Sequence, residues 1–181
     1  YHQMAALVDG RILAIGGFQG PTILASCELF DPSTGTWSAT GPMGSPRRYH
    51  AVTTLADGRC LACGGDTGAG GSNGAEIWSP ATGTWAATGS LIGGTRTFHS
   101  ATLLLDGRVL VAGNTSSEVW TPATGTWAAT TGSPPVPRDG HTATLLQDGR
   151  VLCVGGTNSG GELASAALFD PSWEVAHRYG T

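Results

Sequence analysis

The sequence contains no lysine, and all nine of its basic residues are arginine. Thirteen acidic residues leave a net charge of −4, and charged residues make up only 12% of the chain. An acidic balance without a basic patch argues against a surface for nucleic acid or anionic membranes. The absence of lysine is typical of a GC-rich bacterial composition. We therefore expect no nucleic acid among the partners.

Long apolar runs are also missing, and no stretch approaches the roughly 18 residues of a membrane-spanning helix. Membrane insertion is therefore not expected. The 29 glycines and 10 prolines leave no uninterrupted segment long enough for a stable helix. Valine, threonine and aromatic residues dominate the short segments between these breakers and favour strands. The composition thus predicts an all-β fold.

Only four cysteines are present, at positions 27, 60, 63 and 153. Cys60 and Cys63 have the CxxC spacing of some redox or metal pairs. Two observations favour buried free thiols instead. Isoleucine, valine or alanine takes both positions in the other repeats described below, and side chains three residues apart on a strand point to opposite faces.

One pattern occurs four times along the chain. It begins with a histidine at 2, 50, 99 and 141, seven residues before an Asp-Gly pair and fourteen before a Gly-Gly or Gly-Asn pair. Periods of 48, 49 and 42 residues indicate one structural module per copy. From that first glycine to the tryptophan of the fourth strand (Trp37, Trp85 and Trp127) there are 21 residues in copies one and two but 14 in copy three. The deletion is therefore expected in a loop, with the strands intact.

Each copy contains four short β segments with turn residues between them. In the second copy, Asp57-Gly58 predicts a two-residue hairpin turn between the first two strands. A four-stranded meander has two apolar faces and buries both only by stacking on like sheets, as in a β-propeller. The predicted single domain, 1–181, has blades at 1–41, 47–89, 96–131 and 138–176, and 177–181 resembles the start of a further repeat.

The copies resemble the Kelch repeat. They share its Gly-Gly after the second strand, its acidic-aromatic third strand (Glu76-Ile77-Trp78) and its tryptophan after a turn. His-x-Ala-Thr-Leu-Leu-x-Asp-Gly-Arg-Val-Leu and Phe-Asp-Pro-Ser-Thr-Gly-Thr-Trp are similar to the bacterial form of the repeat. The resemblance covers essentially the whole chain and implies a Kelch-type β-propeller of four four-stranded antiparallel blades. Two departures are Gly113-Asn114 in copy three and Trp173 in place of the Thr-Gly-Thr-Trp phrase in copy four.

Four blades are fewer than the six or seven with which Kelch propellers usually close. Three alternatives stay open: a piece of a longer propeller, a homo-oligomer whose copies complete a ring, or a small closed ring. Open ends would expose apolar blade faces, so closure or self-association is expected. The fragment and the self-assembling half-ring are favoured.

A series of arginines stands three residues before the histidines, where one blade connects to the next: Arg47, Arg96, Arg138 and, near the chain end, Arg178. Two interpretations stay open for this series. The favoured one is an ion pair with a third-strand carboxylate (Glu28, Glu76 or Glu118). The other is a ring of guanidiniums that binds an anionic or carbonyl-rich ligand. The arginine that follows each Asp-Gly pair is assigned to turn chemistry.

Two further series have structural explanations. Histidines around a wide channel would not converge on zinc at about 2 Å, so we expect them to hydrogen-bond to neighbouring backbone. The loop 66–73 lacks the spaced acidic ligands of a calcium site. No metal or cofactor is therefore expected. The aromatic residues at two recurring registers are expected in the core: Trp37, Trp85 and Trp127, and Phe30, Trp78, Trp120 and Phe169.

Loop residues that differ between copies are the positions where a particular ligand would be recognised. The predicted ligand-binding residues are Arg47, Arg96, Arg138, Tyr49, Phe98, Phe18, Gln19, Asp66, Asn73, Asn114 and Asn158.

Three functions are compatible with this sequence. The favoured one is a non-enzymatic scaffold that binds a protein or carbohydrate ligand through variable loops on one face. The second is a structural repeat unit that self-assembles in an extracellular complex, and an extracellular or cell-surface location is the expectation. The third is an enzyme fragment, since Kelch-like propellers include galactose-oxidase-like copper enzymes and sialic-acid mutarotases. No catalytic set of side chains is apparent.

Overall fold

The computed structural model describes residues 1–113, 116–130 and 137–170, and the regular elements in these ranges are all β-strands. The described part of the chain has no helix that could cross a membrane. The strands belong to two compact units, Tyr1–Thr97 and Phe98–Thr181. The predicted all-β class, made of antiparallel propeller blades, is confirmed. A single domain over 1–181 stays a prediction.

Unit 1 contains two four-stranded sheets, with orders β1-β2-β5-β6 and β7-β8-β9-β10, and a small hairpin, β3-β4. Its strands are β1 (Gln3–Ala6), β2 (Ile12–Ile15), β3 (Phe18–Gln19), β4 (Thr22–Ile23), β5 (Cys27–Asp31), β6 (Thr36–Thr40), β7 (Ala51–Thr54), β8 (Cys60–Cys63), β9 (Ala75–Ser79) and β10 (Thr84–Thr88). We call the four-stranded sheet β1-β2-β5-β6 sheet one and the four-stranded sheet β7-β8-β9-β10 sheet two. Within each sheet every strand pairs antiparallel with its neighbours in sequence, as the meander prediction required.

Unit 2 contains sheet three, β11-β12-β13-β14, sheet four, β15-β16-β19, and the hairpin β17-β18. Its strands are β11 (Ser100–Leu103), β12 (Val109–Gly113), β13 (Ser116–Thr121), β14 (Thr126–Ala129), β15 (Thr142–Leu145), β16 (Val151–Val154), β17 (Thr157–Asn158), β18 (Gly161–Glu162) and β19 (Ala166–Phe169). The fourth strand expected in sheet four, and Arg178 with it, lie outside the described residues. Only residues 114 and 115 separate β12 from β13, which places the predicted deletion between the second and third strands.

The turn between the first two strands differs from the expected two-residue hairpin. In sheet two, the N–H of Leu55 donates to the carbonyl of Arg59 and the N–H of Gly58 donates back to Leu55, so the loop has three residues. Gly58 alone has a positive φ, 84°, whereas a type I′ turn needs one at Asp57 as well. The prediction was wrong because the Asp57 carboxylate accepts hydrogen bonds from the backbone N–H and the Nε–H of Arg59. These bonds keep the backbone of Asp57 out of the left-handed conformation, since its φ is not positive.

This turn occurs in all four sheets, and each arginine forms an ion pair with the aspartate of its own turn at 2.7 Å. The prediction of turn chemistry for that arginine series is therefore confirmed. The same contacts lower the pKa values of the aspartates of sheets one, two and four, mainly through the arginine side chain.

The core of unit 1 lies between sheet one and sheet two. Leu13 and Ile15 of β2 pack against Cys60 and Ala62 of β8, and Trp78 closes the cluster with no exposed surface. Alternate residues of each strand face this core, as the period of a strand requires. In unit 2, a second cluster includes Leu110, Val119, Val151 and Phe169, so sheets three and four pack in the same way.

The predicted aromatic core is confirmed in part. Trp78, Trp120, Trp127 and Phe169 are buried, and Trp85 is partly buried against the core of unit 1. Trp37 is 50% exposed, so its prediction was wrong. The reason is its face: Trp37 pairs with Phe30 on the side of sheet one that turns away from sheet two, and no sheet of unit 1 covers that side.

The constant spacing from histidine to Gly-Gly reflects a close backbone approach. A Cβ on Gly65 would lie 2.8 Å from the Cβ of His50, and Gly65 has a φ of 94°. Gly17 and Gly156 meet His2 and His141 in the same way. A larger residue would both collide there and strain the backbone, so the pair is part of the module.

The four cysteines are free and buried, as predicted. Cys60 lies in the core between sheets one and two, and Cys63 is buried on the opposite face of β8. Burial raises the pKa of the Cys60 thiol to about 11 and raises those of Cys27 and Cys153. Thiols held in this way are poor nucleophiles and poor metal ligands.

We therefore expect the folded protein to resist thiol reagents. Dithionitrobenzoate at about pH 8 should label less than one thiol per chain in buffer, and all four in guanidinium chloride. The absorbance of the released thiolate measures the count. Prompt labelling of one or more thiols in the folded state would contradict the burial of these side chains.

Candidate functional site

The predicted site lies along the segments that connect one sheet to the next. In unit 1, residues 41–50 lead from sheet one to sheet two. The backbone of Arg48 pairs with that of Asp66 in the loop after β8, and the N–H of Gly17 donates to the carbonyl of Arg47. The segment is thus held between the loops of two neighbouring sheets.

The Arg47 side chain turns inward. Its Nη1 donates to the carbonyls of Gly64 and Gly74, each at 2.9 Å, and its Nη2 donates to Oε1 of Glu76 at 2.7 Å. The other oxygen of Glu76 accepts the N–H of Gly44. The ion pair is almost completely buried, with 3% and 8% of the two side chains exposed. The ion-pair alternative for Arg47, with Glu76 as its partner, is therefore the one that the structure contains.

Arg138 has the equivalent position in unit 2. Its Nη1 donates to the carbonyls of Gly155 and Ser165 at 2.7 and 3.1 Å, and its Nη2 donates to the Ser165 hydroxyl at 3.3 Å. Arg138 and Arg96 are only 1% and 4% exposed. The burial of Arg47, Arg96 and Arg138 favours a structural role for them, and ligand binding by these three arginines stays a prediction.

His50, His99 and His141 are enclosed in the same way, whereas His2 is exposed. His50 is 1% exposed, and neither ring nitrogen has a hydrogen-bond partner in the described part of the chain, so the expected backbone bond is not formed there. Burial, with Arg47 close by, lowers the pKa of His50 to about 3. Burial and Arg138 also lower the pKa of His141, whose Nε2 contacts the Ser100 hydroxyl at 3.0 Å. These two imidazoles are therefore neutral at physiological pH.

In unit 1, aromatic side chains form a solvent-accessible cluster around Arg48. The ring of Tyr1 stacks on Phe18 at 5.3 Å and meets the edge of Tyr49 at 4.5 Å. The Arg48 guanidinium lies 5.7 Å from the Phe18 ring centroid and 5.0 Å from that of Tyr49. It also donates twice to Oδ2 of Asp66, at 2.8 and 2.9 Å. We call these five residues the Arg48 cluster.

Electrostatics support this geometry. The N–H of Gly68 and the Arg48 guanidinium hold the pKa of Asp66 below its usual value. A charged Asp66 fixes the plane of the Arg48 side chain, and that plane holds the flanking rings in place. Phe18, Tyr49 and Asp66 were predicted from the sequence as ligand-binding residues, whereas Tyr1 and Arg48 were not. Arg48 could have been found, because threonine or aspartate stands at its position in later copies.

The backbone at the position before the histidine has an unusual conformation. Tyr49 and Phe98 are the only described residues other than glycine with a positive φ, 57° and 56°. Gly140 has the same place in the fourth copy and a φ of 65°. The left-handed conformation therefore belongs to the module, and two copies place an aromatic residue where glycine would fit without strain.

In unit 2, Phe98 is 44% exposed, and its carbonyl accepts the N–H of Gly140. Asp139 pairs with Thr157 through the backbone, as Arg48 pairs with Asp66 in unit 1. Asn158 lies beside this bridge in the β17-β18 hairpin, where its Oδ1 accepts the N–H of Gly160. Phe98 and Asn158 thus lie at the same kind of connecting segment as the Arg48 cluster.

The remaining candidates have separate locations. Gln19 is exposed at the end of β3. The Nδ2 of Asn73 donates to the carbonyl of Leu91 at 3.3 Å, which makes Asn73 part of a loop contact. Asn114 lies outside the described residues. Within the described ranges, no three His, Cys, Asp or Glu side chains converge as a metal site.

Two comparisons with known proteins bear on this arrangement. Residues 5–44 and 47–91 match the family model described as the Kelch motif. Kelch-like protein 35 of Homo sapiens is 45% identical to this chain over 42 residues, which are 23% of this chain and 7% of that protein. Kelch-like protein 35 of Mus musculus gives the same figures. The chain thus matches a small part of these relatives, and the predicted resemblance is confirmed.

The role of Arg47 is tested by comparing it with its neighbour. Arg47→Ala leaves Glu76 buried without its cation and should lower the free energy of unfolding by about 3–5 kcal/mol. Arg48→Ala removes a partly exposed ion pair that solvent screens, so it should lower the free energy of unfolding far less than Arg47→Ala. Urea denaturation followed by tryptophan fluorescence measures both. Equal effects would contradict the structural assignment of Arg47.

Stability should also fall in weak acid. Between about pH 6.5 and 5 the unfolded chain binds a proton at His50 that the folded protein excludes, since the folded pKa is about 3. The free energy of unfolding is therefore constant above pH 6.5 and falls below it, by at most about 1.4 kcal/mol per pH unit for this group. Urea titrations at about pH 7, 6 and 5 measure the slope. His50→Gln should reduce it, and an unchanged slope would contradict the assignment.

Proposed function

Because this chain is built from Kelch repeats, we propose that it is a non-enzymatic scaffold that binds a partner protein through the aromatic residues of its connecting segments. Kelch repeats commonly form protein-interaction scaffolds, and the match of residues 5–44 and 47–91 to the Kelch motif supports that role for this chain. The proposal adds the site: the Arg48 cluster in unit 1, and Phe98 with its neighbouring hairpin in unit 2.

The observation that carries the proposal is the left-handed backbone of Tyr49 and Phe98. A residue with a Cβ loses about 1–2 kcal/mol in this conformation relative to glycine. The equivalent Gly140 shows that the fold needs no side chain there. Retaining strained aromatic side chains at two copies, one partly exposed and one exposed, is what a binding function favours, since strain of this kind concentrates at functional sites.

The chemistry of the Arg48 cluster suits a protein segment. Stacked rings offer a large apolar contact area and lose little conformational entropy on binding. The ordered Arg48 guanidinium adds directional hydrogen bonds that orient the bound segment. Tyr1, Phe18 and Tyr49 are fixed by mutual contact, so little ordering is needed when a partner binds. A partner segment would pack an aromatic or proline side chain on these rings. It would also accept hydrogen bonds from the Arg48 guanidinium beside them.

Three features support a non-enzymatic role. Arg47, Arg96 and Arg138 are enclosed by the fold. His50 and His141 are neutral and buried, and burial raises the pKa values of the thiols of Cys27, Cys60 and Cys153. None of these groups is placed to react with a bound molecule. A carbohydrate ligand and an extracellular location stay predictions from the sequence.

The aromatic positions provide a test that separates binding from stability. Tyr49→Gly and Phe98→Gly relieve backbone strain but give the unfolded chain more entropy, so stability should stay within about 1 kcal/mol of the wild type. Peptides selected from a displayed random library on the wild-type protein should bind at least one of these variants about tenfold more weakly, as measured by isothermal titration calorimetry.

Leu105→Ala is the matched control, because Leu105 is also a large exposed apolar residue but lies in an Asp-Gly turn. Its affinity for the selected peptides should equal that of the wild type. The proposal fails if no peptide can be selected, or if selected peptides bind Tyr49→Gly, Phe98→Gly and Leu105→Ala equally well.

A further inference from the structure

The Arg48 guanidinium has one nitrogen that the surrounding residues do not use. Its Nε and Nη2 both donate to Oδ2 of Asp66, and its central carbon lies over the rings of Phe18 and Tyr49. In the described part of the chain, Nη1 of Arg48 has no hydrogen-bond partner, and 31% of the side chain is exposed. The N–H groups of Nη1 are therefore available as donors to a bound molecule.

The other polar groups of Arg48 and Asp66 are already paired. Oδ1 of Asp66 accepts the N–H of Gly68, and Oδ2 accepts both bonds from Arg48. The backbone N–H and carbonyl of Arg48 bond to the carbonyl and N–H of Asp66. A partner therefore cannot add a β-strand at this segment, because the backbone groups that it would need are occupied. What the pair offers to a ligand is hydrogen-bond donors, so the ligand must supply acceptors.

The charges of Arg48 and Asp66 offset each other. The N–H of Gly68 and the Arg48 side chain lower the pKa of Asp66, and the bond to Asp66 raises the pKa of Arg48. Both groups are therefore ionised at neutral pH, and the three rings of the cluster add no charge. An anionic ligand would meet the Asp66 carboxylate as well as the guanidinium. The pair therefore favours a neutral acceptor, such as a peptide carbonyl.

The three rings of the Arg48 cluster limit the size of what can bind. Tyr1 lies between Phe18 and Tyr49, with centroid distances of 5.3 and 4.5 Å. The row of rings thus extends over about 10 Å at most, which is close to the roughly 9 Å that three residues of a polyproline II helix span. The planes of Tyr1 and Tyr49 meet at 65° and form a corner for a flat aliphatic ring such as that of proline.

Polyproline II is the backbone conformation that meets these conditions together. An α-helix uses its carbonyls for its own hydrogen bonds, and a β-strand needs a partner strand with open N–H and carbonyl groups. A polyproline II helix has no internal hydrogen bonds, so its carbonyls are open. Proline also has no N–H, so a proline-rich segment offers acceptors without donors.

We propose that the Arg48 cluster binds an uncharged, proline-rich segment of a partner protein in the polyproline II conformation. Proline rings of the segment pack on Tyr1, Phe18 and Tyr49, and one of its carbonyls accepts a hydrogen bond from Nη1 of Arg48. The proposal rests on the proposed function, and it adds the class of sequence that the partner presents.

The probe is a fluorescein-labelled peptide of about nine prolines, which is about three turns of the helix. Fluorescence anisotropy should show saturable binding to the wild-type protein. A glycine-serine peptide of the same length should bind at least about tenfold more weakly, because it loses more conformational entropy. The dissociation constant of the proline peptide should change less than about twofold between about 0.05 and 0.5 M sodium chloride, since the ligand is neutral.

A substitution at Arg48 tests the hydrogen bond. Arg48→Met keeps a long side chain beside the rings but removes the donors, so it should weaken binding of the proline peptide about tenfold. Arg59→Met is the matched control, because it removes an arginine from another partly exposed ion pair of unit 1, with Asp57. It should bind the peptide like the wild type. Urea denaturation of both variants verifies that each is folded.

Three results would overturn the inference: no saturable binding of the proline peptide, equal affinity of Arg48→Met and the wild type, or tighter binding of a peptide with glutamate at every third position. The peptides selected from the random library separate this inference from the proposed function. Selected peptides that depend on Tyr49 or Phe98 but are poor in proline would support the proposed function and overturn the choice of partner sequence.

Discussion

The buried arginine of the connecting segment is the interaction on which the order of the sheets depends. Arg47 lies in the segment after sheet one, and its guanidinium donates hydrogen bonds to two carbonyls and a carboxylate of sheet two. Those acceptors exist only where the backbone after β8 and before β9 has its native path. One guanidinium therefore couples the end of one blade to the folded state of the next. Apolar packing between the sheets is less directional, and the arginine supplies the register that packing alone leaves open.

The repeat predicted most of the fold, because it fixes which residues occur at equal positions. Strand order, buried thiols and most of the aromatic core followed from it. The predictions that failed concern properties that depend on a neighbouring sheet or a neighbouring side chain. Trp37 occupies the same register as Trp85, but its exposure depends on what covers that face of sheet one. The turn at Asp57 was wrong because an Asp-Gly pair is compatible with two loop lengths, and the bond to Arg59 selects the longer.

The candidate site was predictable only where copies differ. Tyr49 and Phe98 were named from the sequence, but their left-handed backbone is a property of the fold. Arg47 was ambiguous because a charged residue at a connection is compatible with either an ion pair or a ligand contact, and only its burial decides between them. Arg48 was missed because the repeat singles out the arginine that recurs, Arg47, and not its neighbour. In unit 1 the recurring residue, Arg47, holds neighbouring sheets together, and the adjacent variable residue, Arg48, is partly exposed to solvent.

The Asp-Gly turns have a chemical consequence over the life of the protein. Aspartate followed by glycine is prone to cyclise to a succinimide, which requires the glycine nitrogen to attack the side-chain carboxyl carbon. In each of the four turns, the glycine N–H is bonded to a leucine carbonyl at 3.0 Å, and arginine holds the aspartate oxygens. The folded chain therefore protects its own turns from isoaspartate formation. An unfolded chain loses this protection, so covalent damage would accumulate at these four turns and at the fifth Asp-Gly pair, Asp139-Gly140.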